Sequence, residues 1–341
     1  MLNIYTMNIQ LFAEFTPHVT PGTPTVNPVN LTTTEGLSPA MRDFYVKALL
    51  ENAREDIIYE QFGLKTPVKG NKAVWRKMDT IGKALTPLEE GVIPEGKNLG
   101  MTSLEATVSQ HGDYAAVSDR LHYESFDPII YQATEEFSHA MASTYDTLIR
   151  NVLVGGNTVM YAPIVDAEGK ETEVSSRTAI TNAAILTPKM VKKAATWLKK
   201  NKAPKIDGYY VAIIHPSVAM DLTESKEWKE FHKYSDAVTI FKGEIGMLHG
   251  VRFIESTEAK VYKSTKTVYV TLFLGKEAFG IVDPEGEGQE VIVKTEQQIG
   301  GPLNQFSTIG YKFTMGAKIL YQERLLRVES GSSLGDDDEE N

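Results

Sequence analysis

Met41, Phe44, Tyr45, Ala48, Leu49, Ala53 and Ile57 recur at three- and four-residue steps, the spacing of one helix face. Ser38-Pro39 supplies a capping hydroxyl and a proline at the first helical position, and Gly63 stops the run. A helix is therefore predicted over residues 39–62. Beyond it the period drops to two. Val74, Arg76 and Met78 alternate with Trp75 and Lys77; later, Thr102, Leu104, Ala106 and Val108 alternate with Ser103, Glu105, Thr107 and Ser109. These two strands flank a long tip rich in breakers: Gly82, Pro87, Gly91, Pro94, Gly96 and Gly100. A projecting two-stranded ribbon is predicted, and since a lone ribbon is marginal in water it is expected to rest on something. Asp127-Pro128 opens the longest helix, striped by Ile130, Ala133, Phe137, Ala140, Met141, Thr144, Leu148 and Val152. It ends at Gly155-Gly156 after roughly 40 Å at 1.5 Å per residue.

From Thr187 the pattern mixes helix and strand. Helices are predicted over 188–201 and 216–222, and strands over 209–214, 251–255, 267–274 and 278–282. The last third reads as strand over 290–297, 306–315 and 317–328. The tail, 330–341, is glycine, serine and acid, and is expected to be disordered. At the other end no lysine or arginine precedes Arg42, and Pro17, Pro21, Pro24 and Pro28 forbid a helix or a central strand. Ile9, Leu11, Phe12 and Phe15 give this stretch an apolar end. An extended arm of that kind suits a subunit that lies across a neighbour.

Composition narrows the function classes. A chain of 341 residues suggests two or three lobes, and 42% apolar with 23% charged residues is ordinary for a soluble folded protein. Of the net charge of −10, five units come from Asp336, Asp337, Asp338, Glu339 and Glu340. The remainder is mildly acidic, which argues against a basic face gripping nucleic acid. The absence of cysteine excludes disulfides, thiolate catalysis and Cys-ligated zinc. No secretory signal and no bilayer-spanning run is visible, so a soluble, cytoplasmic protein is expected.

Motifs that touch on chemistry are weak. Residues 91–98 nearly fit a phosphate loop, but Asn98 stands where the magnesium-binding hydroxyl belongs, Pro94 removes a donor, and no helix follows. Gly331-Ser332-Ser333-Leu334-Gly335 matches GxSxG without the strand and helix that a nucleophile elbow needs. None of His18, His111, His122, His139, His215, His232 and His249 forms a metal-binding pair. His215-Pro216 closes a strand and opens a helix, a structural role. No catalytic set, cofactor or metal is expected. In the ribbon, Trp75, Arg76, Lys77 and Lys97 are offset by Glu89 and Glu90, and mixed charge suits contact with another copy better than with a polyanion.

The order of arm, helix, ribbon, long helix, mixed lobe and closing strands resembles the Hong Kong 97-type major capsid proteins of tailed phages, over residues 38–328. The resemblance is most specific at Gly301-Pro302-Leu303-Asn304-Gln305-Phe306-Ser307-Thr308-Ile309-Gly310-Tyr311-Lys312, and Met7-Asn8-Ile9-Gln10-Leu11-Phe12-Ala13-Glu14 is similar to the start of many such proteins. It implies an α+β, Hong Kong 97-like capsid fold. The domains would be an N-terminal arm (1–37), a helix of the peripheral domain (38–64) and an extended β-ribbon loop (65–115). The peripheral domain with its spine helix (116–186), the axial domain (187–266) and strands returning to the peripheral domain (267–329) would follow, with the acidic tail last (330–341).

The function implied is that of a shell subunit without a reaction of its own, assembling in the host cytoplasm into hexamers and pentamers of a virion around double-stranded DNA. With only residues 1–37 ahead of the first predicted helix, a separate scaffolding protein is expected, along with a portal and decoration proteins. Phe12, Phe15, Trp75, Arg76, Lys77, Glu89, Glu90, Lys97, Pro302 and Asn304 are the expected inter-subunit contacts. Alternatives are an encapsulin-like nanocompartment shell, a tail or decoration protein, and a hydrolase whose acid, histidine and nucleophile meet only in the fold.

Overall fold

The apolar stripe of the long helix is buried: Met141, Ala142, Tyr145, Ile149 and Leu153 line one face of α1 (Ile129–Val154). The computed structural model describes residues 57–79, 81–83, 85, 87, 91, 93, 96–119, 129–166, 170–232, 244–263, 266–284, 289–294, 296–299, 303, 305–335 and 338–341. Within these residues α1 is sandwiched between two sheets. On one side lie β1 (Leu64–Val68), β13 (Phe279–Pro284), β15 (Phe306–Ile319) and β14 (Glu290–Lys294), in that order, with β4 (Ser109–Ser118) also paired to β15. Phe137 meets Tyr311 edge-on at 5.9 Å between ring centroids, and Tyr145 meets Phe313 at 5.6 Å. Such aromatic pairs add to simple area burial.

On the other side of α1 is a seven-stranded sheet in the order β5 (Val159–Tyr161), β16 (Leu325–Ser330), β12 (Thr267–Leu274), β8 (Tyr210–Ile214), β10 (Val251–Glu255) and β9 (Glu244–Leu248), with β11 (Val261–Lys263) beside β12. Alternation along β8 serves both faces: Val211 and Ile213 point to the α1 core, Ala212 and Ile214 to the opposite one. That opposite core is filled by α2 (Pro188–Lys200), α3 (Pro216–Glu224) and α4 (Lys226–His232), through Val191, Leu198, Val218, Leu222 and Trp228. Thr187 Oγ1 accepts from Met190 N at 3.3 Å and His215 Nδ1 from Ser217 N at 3.2 Å, each ahead of a proline. His215 is thus a helix cap, as its place before Pro216 implied. The remaining elements are the ribbon strands β2 (Lys72–Met78) and β3 (Met101–Thr107), a short hairpin of β6 (Ile164–Val165) with β7 (Glu171–Thr172), and α5 (Glu296–Ile299).

Several expectations are corrected. The helix over 39–62 lies outside the described residues up to position 56, and it does not run to Phe62. Ile57 and Ile58 are not helical and Tyr59–Phe62 is a 3-10 turn. The cause is Asp146 on α1, which takes the N–H groups of Ile58 (2.7 Å) and Tyr59 (3.2 Å) that an α-helix would direct to its own carbonyls. The segment 65–115 is not all ribbon: β1 pairs in parallel with β13, and β4 belongs to the five-stranded sheet. Thr267–Leu274 and Leu325–Ser330 do not return to the sheet beside the ribbon. All eight residues of β12 are buried, the mark of an inner strand covered on both faces, and it pairs with both β8 and β16. Nor does Gly316 break β15. A side chain there would sit 2.8 Å from Thr107 O, so glycine lets the strand pass the ribbon base. The tail, finally, is bonded to the mixed lobe at Ser332, Ser333, Asp338 and Asn341.

Burial pushes the Asp146 carboxyl up to about 7 from 3.8, against the two backbone donors that favour its charged form. Its folded value lies above the unfolded one. Between about pH 4 and pH 7 the folded chain therefore holds a proton that the unfolded chain has lost, and stability falls as pH rises through that window. Asp146→Asn is expected to flatten this slope while keeping an acceptor for one of the two N–H groups. Denaturant midpoints at about pH 5 and about pH 7.5 test it; a variant that loses as much stability as the parent across the interval would refute the assignment.

Candidate assembly surface

The ribbon has two unlike faces. In the register Ala73↔Ala106, Trp75↔Leu104 and Lys77↔Thr102, one face turns to the chain's own body. Ala73, Ala106 and Val108 pack with Val282, and Trp75 Nε1 donates to Thr66 Oγ1 at 3.0 Å. Trp75 lies so close over β13 that a side chain at Gly280 would come within 2.8 Å of Cζ2. Lys77 reaches Glu323 at 3.5 Å and sits 4.6 Å above the Tyr321 ring. Trp75 and Lys77, expected at an inter-subunit contact, thus anchor the ribbon to its own subunit.

The other face carries Val74, Arg76, Met78 and Met101, with Glu105 opposite Val74. Val74, Met78 and Met101 are 53%, 61% and 54% exposed, and the tip adds Ile81, Leu85, Ile93 and Leu99, all exposed. On the strands these apolar side chains alternate with the exposed Lys72, Arg76, Ser103, Glu105 and Thr107, so the outer face is mixed, with its apolar positions nearest the tip. Asp79 N donates to Gly100 O at 3.0 Å, so pairing continues past the strands. Lys97 Nζ donates to the carbonyls of Gly82 and Lys83, which makes Lys97 a staple within the tip. Phe12, Phe15, Glu89, Glu90, Pro302 and Asn304 lie outside the described residues. The two faces of the ribbon were readable as period-two alternation; which of them packs on the chain's own body was not.

The glycine-tyrosine-lysine end of the 301–312 element is explained by packing. A side chain at Gly310 would meet Asp113 O at 2.5 Å and Tyr114 Cβ at 2.7 Å, so β4 and β15 approach closely only with glycine there. Tyr311 stacks on Phe313, with 6.1 Å between centroids, and Lys312 pairs with Glu290 at 3.2 Å. A groove of about 580 Å³ opens beside it, lined by His111, Asp113, Tyr114, Ile292, Ile299 and Tyr311 among others.

The fold does bring an acid, a histidine and a hydroxyl together at Asp338, His215 and Ser217. The Ser217 hydroxyl donates to Asp338 Oδ2 at 2.8 Å, and Tyr269 OH donates to the same oxygen at 2.5 Å. Those two hydrogen bonds, Tyr269 first, hold the Asp338 carboxyl below the usual carboxylate range. His215 Nδ1 is taken by the Ser217 backbone N–H, and burial lowers the imidazole pKa. The hydroxyl therefore bonds to the carboxylate and the imidazole caps a helix, whereas a nucleophile would need the imidazole as its base. Among the described residues no group of histidine, aspartate and glutamate could hold a metal ion, and no helix is long and apolar enough to cross a membrane.

Residues 120–300, just over half of the chain, match a family described as "Phage capsid protein". Among solved structures, the capsid of Ralstonia phage GP4 superposes with a TM-score of 0.64 at 13% identity, covering 84% of this chain and 93% of that one. The capsid of cyanophage P-SCSP1u gives 0.61 at 13% identity, over 82% and 89%. A virus-like particle from Pyrococcus furiosus gives 0.50 at 10% identity, over 84% and 99%. No curated protein sequence matches.

Proposed function

Because this chain belongs to the phage capsid protein family and has the Hong Kong 97-like fold, we propose how its parts serve as the major capsid protein of a tailed phage. The ribbon, residues 72–107, is the extended loop, and its exposed Val74, Met78, Met101 and Leu99 lie on an adjacent copy. Those exposed side chains are the observation that carries the reading, because large apolar side chains held out from the body among charged ones suit burial on another protein surface. The α1 helix with the five-stranded sheet is the peripheral domain. The seven-stranded sheet with α2, α3 and α4 is the axial domain, gathering at five- and six-fold centres.

Closed symmetry repeats each contact many times, so individually weak contacts make a durable shell that misplaced subunits still leave. The subunit catalyses nothing. It assembles in the host cytoplasm with a separate scaffolding protein and a portal, encloses double-stranded DNA without sequence preference, and accepts decoration proteins. Electron microscopy of the chain expressed alone and with its neighbouring genes tests this. Closed icosahedral particles are expected, and their absence in every combination would sink it.

A cellular nanocompartment is the second reading, since the Pyrococcus furiosus particle shares the fold. The phage family match favours the first. Protein cargo in place of DNA in purified particles would reverse that preference.

A further inference from the structure

Asn341 and the α1 helix grip the same short turn from opposite sides. Between β10 and β11, Ser256–Lys260 folds back with Ala259 N on Ser256 O at 3.2 Å. Glu258 points to α1 and accepts from Ser143 Oγ (2.9 Å) and Thr147 Oγ1 (3.2 Å), with Arg150 Nη1 3.7 Å from its carboxylate. Arg150 Nη1 also donates to the Glu258 carbonyl at 2.7 Å. The spacing 143, 147, 150 is one face of a helix. The Arg150 side chain is only 2% exposed; Asn151 Oδ1 accepts from its Nε and Nη2, and this turn supplies the partners of Nη1.

Asn341 holds the turn's other side. Its Nδ2 donates to Ala259 O at 3.1 Å, its Oδ1 accepts from Val261 N at 2.9 Å, and Lys260 Nζ donates to the Asn341 main-chain oxygen. Upstream, Asp338 is seated on Ser217 and Tyr269, Ser333 N donates to Asp221 Oδ2 at 3.0 Å, and Ser332 Oγ donates to Ser217 O at 3.0 Å. All these anchors, like the turn, lie on the mixed lobe.

We propose that Ser332, Ser333, Asp338 and Asn341 together act as a strap that sets the 256–260 turn, so that Glu258 latches α1 and fixes the angle between that helix and the mixed lobe. Coupling of this kind is reciprocal: loosening the strap loosens the latch, and opening the latch loosens the strap. The strap acts within one subunit, so the proposal goes beyond shell formation and stands whether or not the chain builds shells.

The chain has no cysteine, so Glu136→Cys on α1 and Lys200→Cys on α2, both exposed, take spin labels without background. Labelled full-length chain is diluted into an excess of unlabelled chain, and the distance distribution between the labels is measured by pulsed electron resonance. Asn341→Ala is expected to broaden the distribution, Glu258→Ala to broaden it as much, and the double variant to go no further than either. Asp338→Ala should repeat the Asn341→Ala result, while Glu339→Gln, at an exposed position, should leave the distribution unchanged. If Glu258→Ala does not fold, Ser143→Ala with Thr147→Val weakens the same latch. Parent-like widths in both Asn341→Ala and Asp338→Ala would overturn the proposal, as would widths that add in the double variant.

Discussion

Replacing residues 80–99 with Asn-Gly is expected to abolish shells and leave a folded, soluble monomer. Asp79 N already bonds Gly100 O, so a two-residue turn closes the shortened ribbon on pairing it has now. The anchoring face of Ala73, Trp75, Ala106 and Val108 is untouched, and the thermal midpoint should stay within about 2 °C of the parent. What disappears is the exposed apolar surface of Ile81, Leu85, Ile93 and Leu99. Each such side chain, when fully buried, contributes about 1.5–3 kcal/mol. Because every subunit would lose the same contact, closed particles should fall below detection by sedimentation and microscopy at micromolar protein. Val74→Lys with Met78→Lys attacks the outer face without shortening anything and should act in the same direction. Normal particles from both variants would show that the ribbon is no assembly element.

The largest loss of subunit stability is expected from Glu329→Ala. Glu329 on β16 is fully buried and accepts from Arg177 Nε at 2.8 Å and Nη2 at 2.6 Å, with Arg327 Nε at 3.1 Å from its Oε1. Arg177 also lies 3.7 Å over the Tyr262 ring, so one carboxylate ties the connection after β7 to β16 of the seven-stranded sheet. Removing the carboxylate leaves both guanidinium groups without their counter-charge, at a cost at the lower end of about 3–5 kcal/mol, because Arg177 is 32% exposed and Arg327 keeps the Val154 carbonyl. For a chain this long that corresponds to a fall of several degrees in the calorimetric midpoint. Glu329→Gln keeps the shape and loses the charge, and should fall between Ala and parent. A midpoint for Glu329→Ala within a degree or two of the parent would show that Arg177 and Arg327 find other partners.

Most individual elements were legible along the chain. The stripe of α1, the buried run of β8, the alternation of β2 and β3, and the capping pairs Thr187-Pro188 and His215-Pro216 appear where their local patterns placed them. Each of these depends on neighbours within a turn or two of chain. The end of the helix at residues 57–62 was not legible, because it depends on Asp146, nearly ninety positions away along the chain. The tail reads as disordered because its composition is polar, yet its partners Ser217, Asp221, Tyr269 and Val261 all come from the mixed lobe.

Hydrophobic period and turn chemistry therefore determined what each segment is: helix, strand, ribbon or cap. Only the tertiary structure decided which sheet β12 and β16 join, and that Trp75 and Lys77 hold the ribbon to its own body while Val74 and Met78 stay exposed. The reason is physical. Alternation tells that a strand has two faces, whereas the choice of which face is buried belongs to the surface it meets, and that surface is built from distant residues.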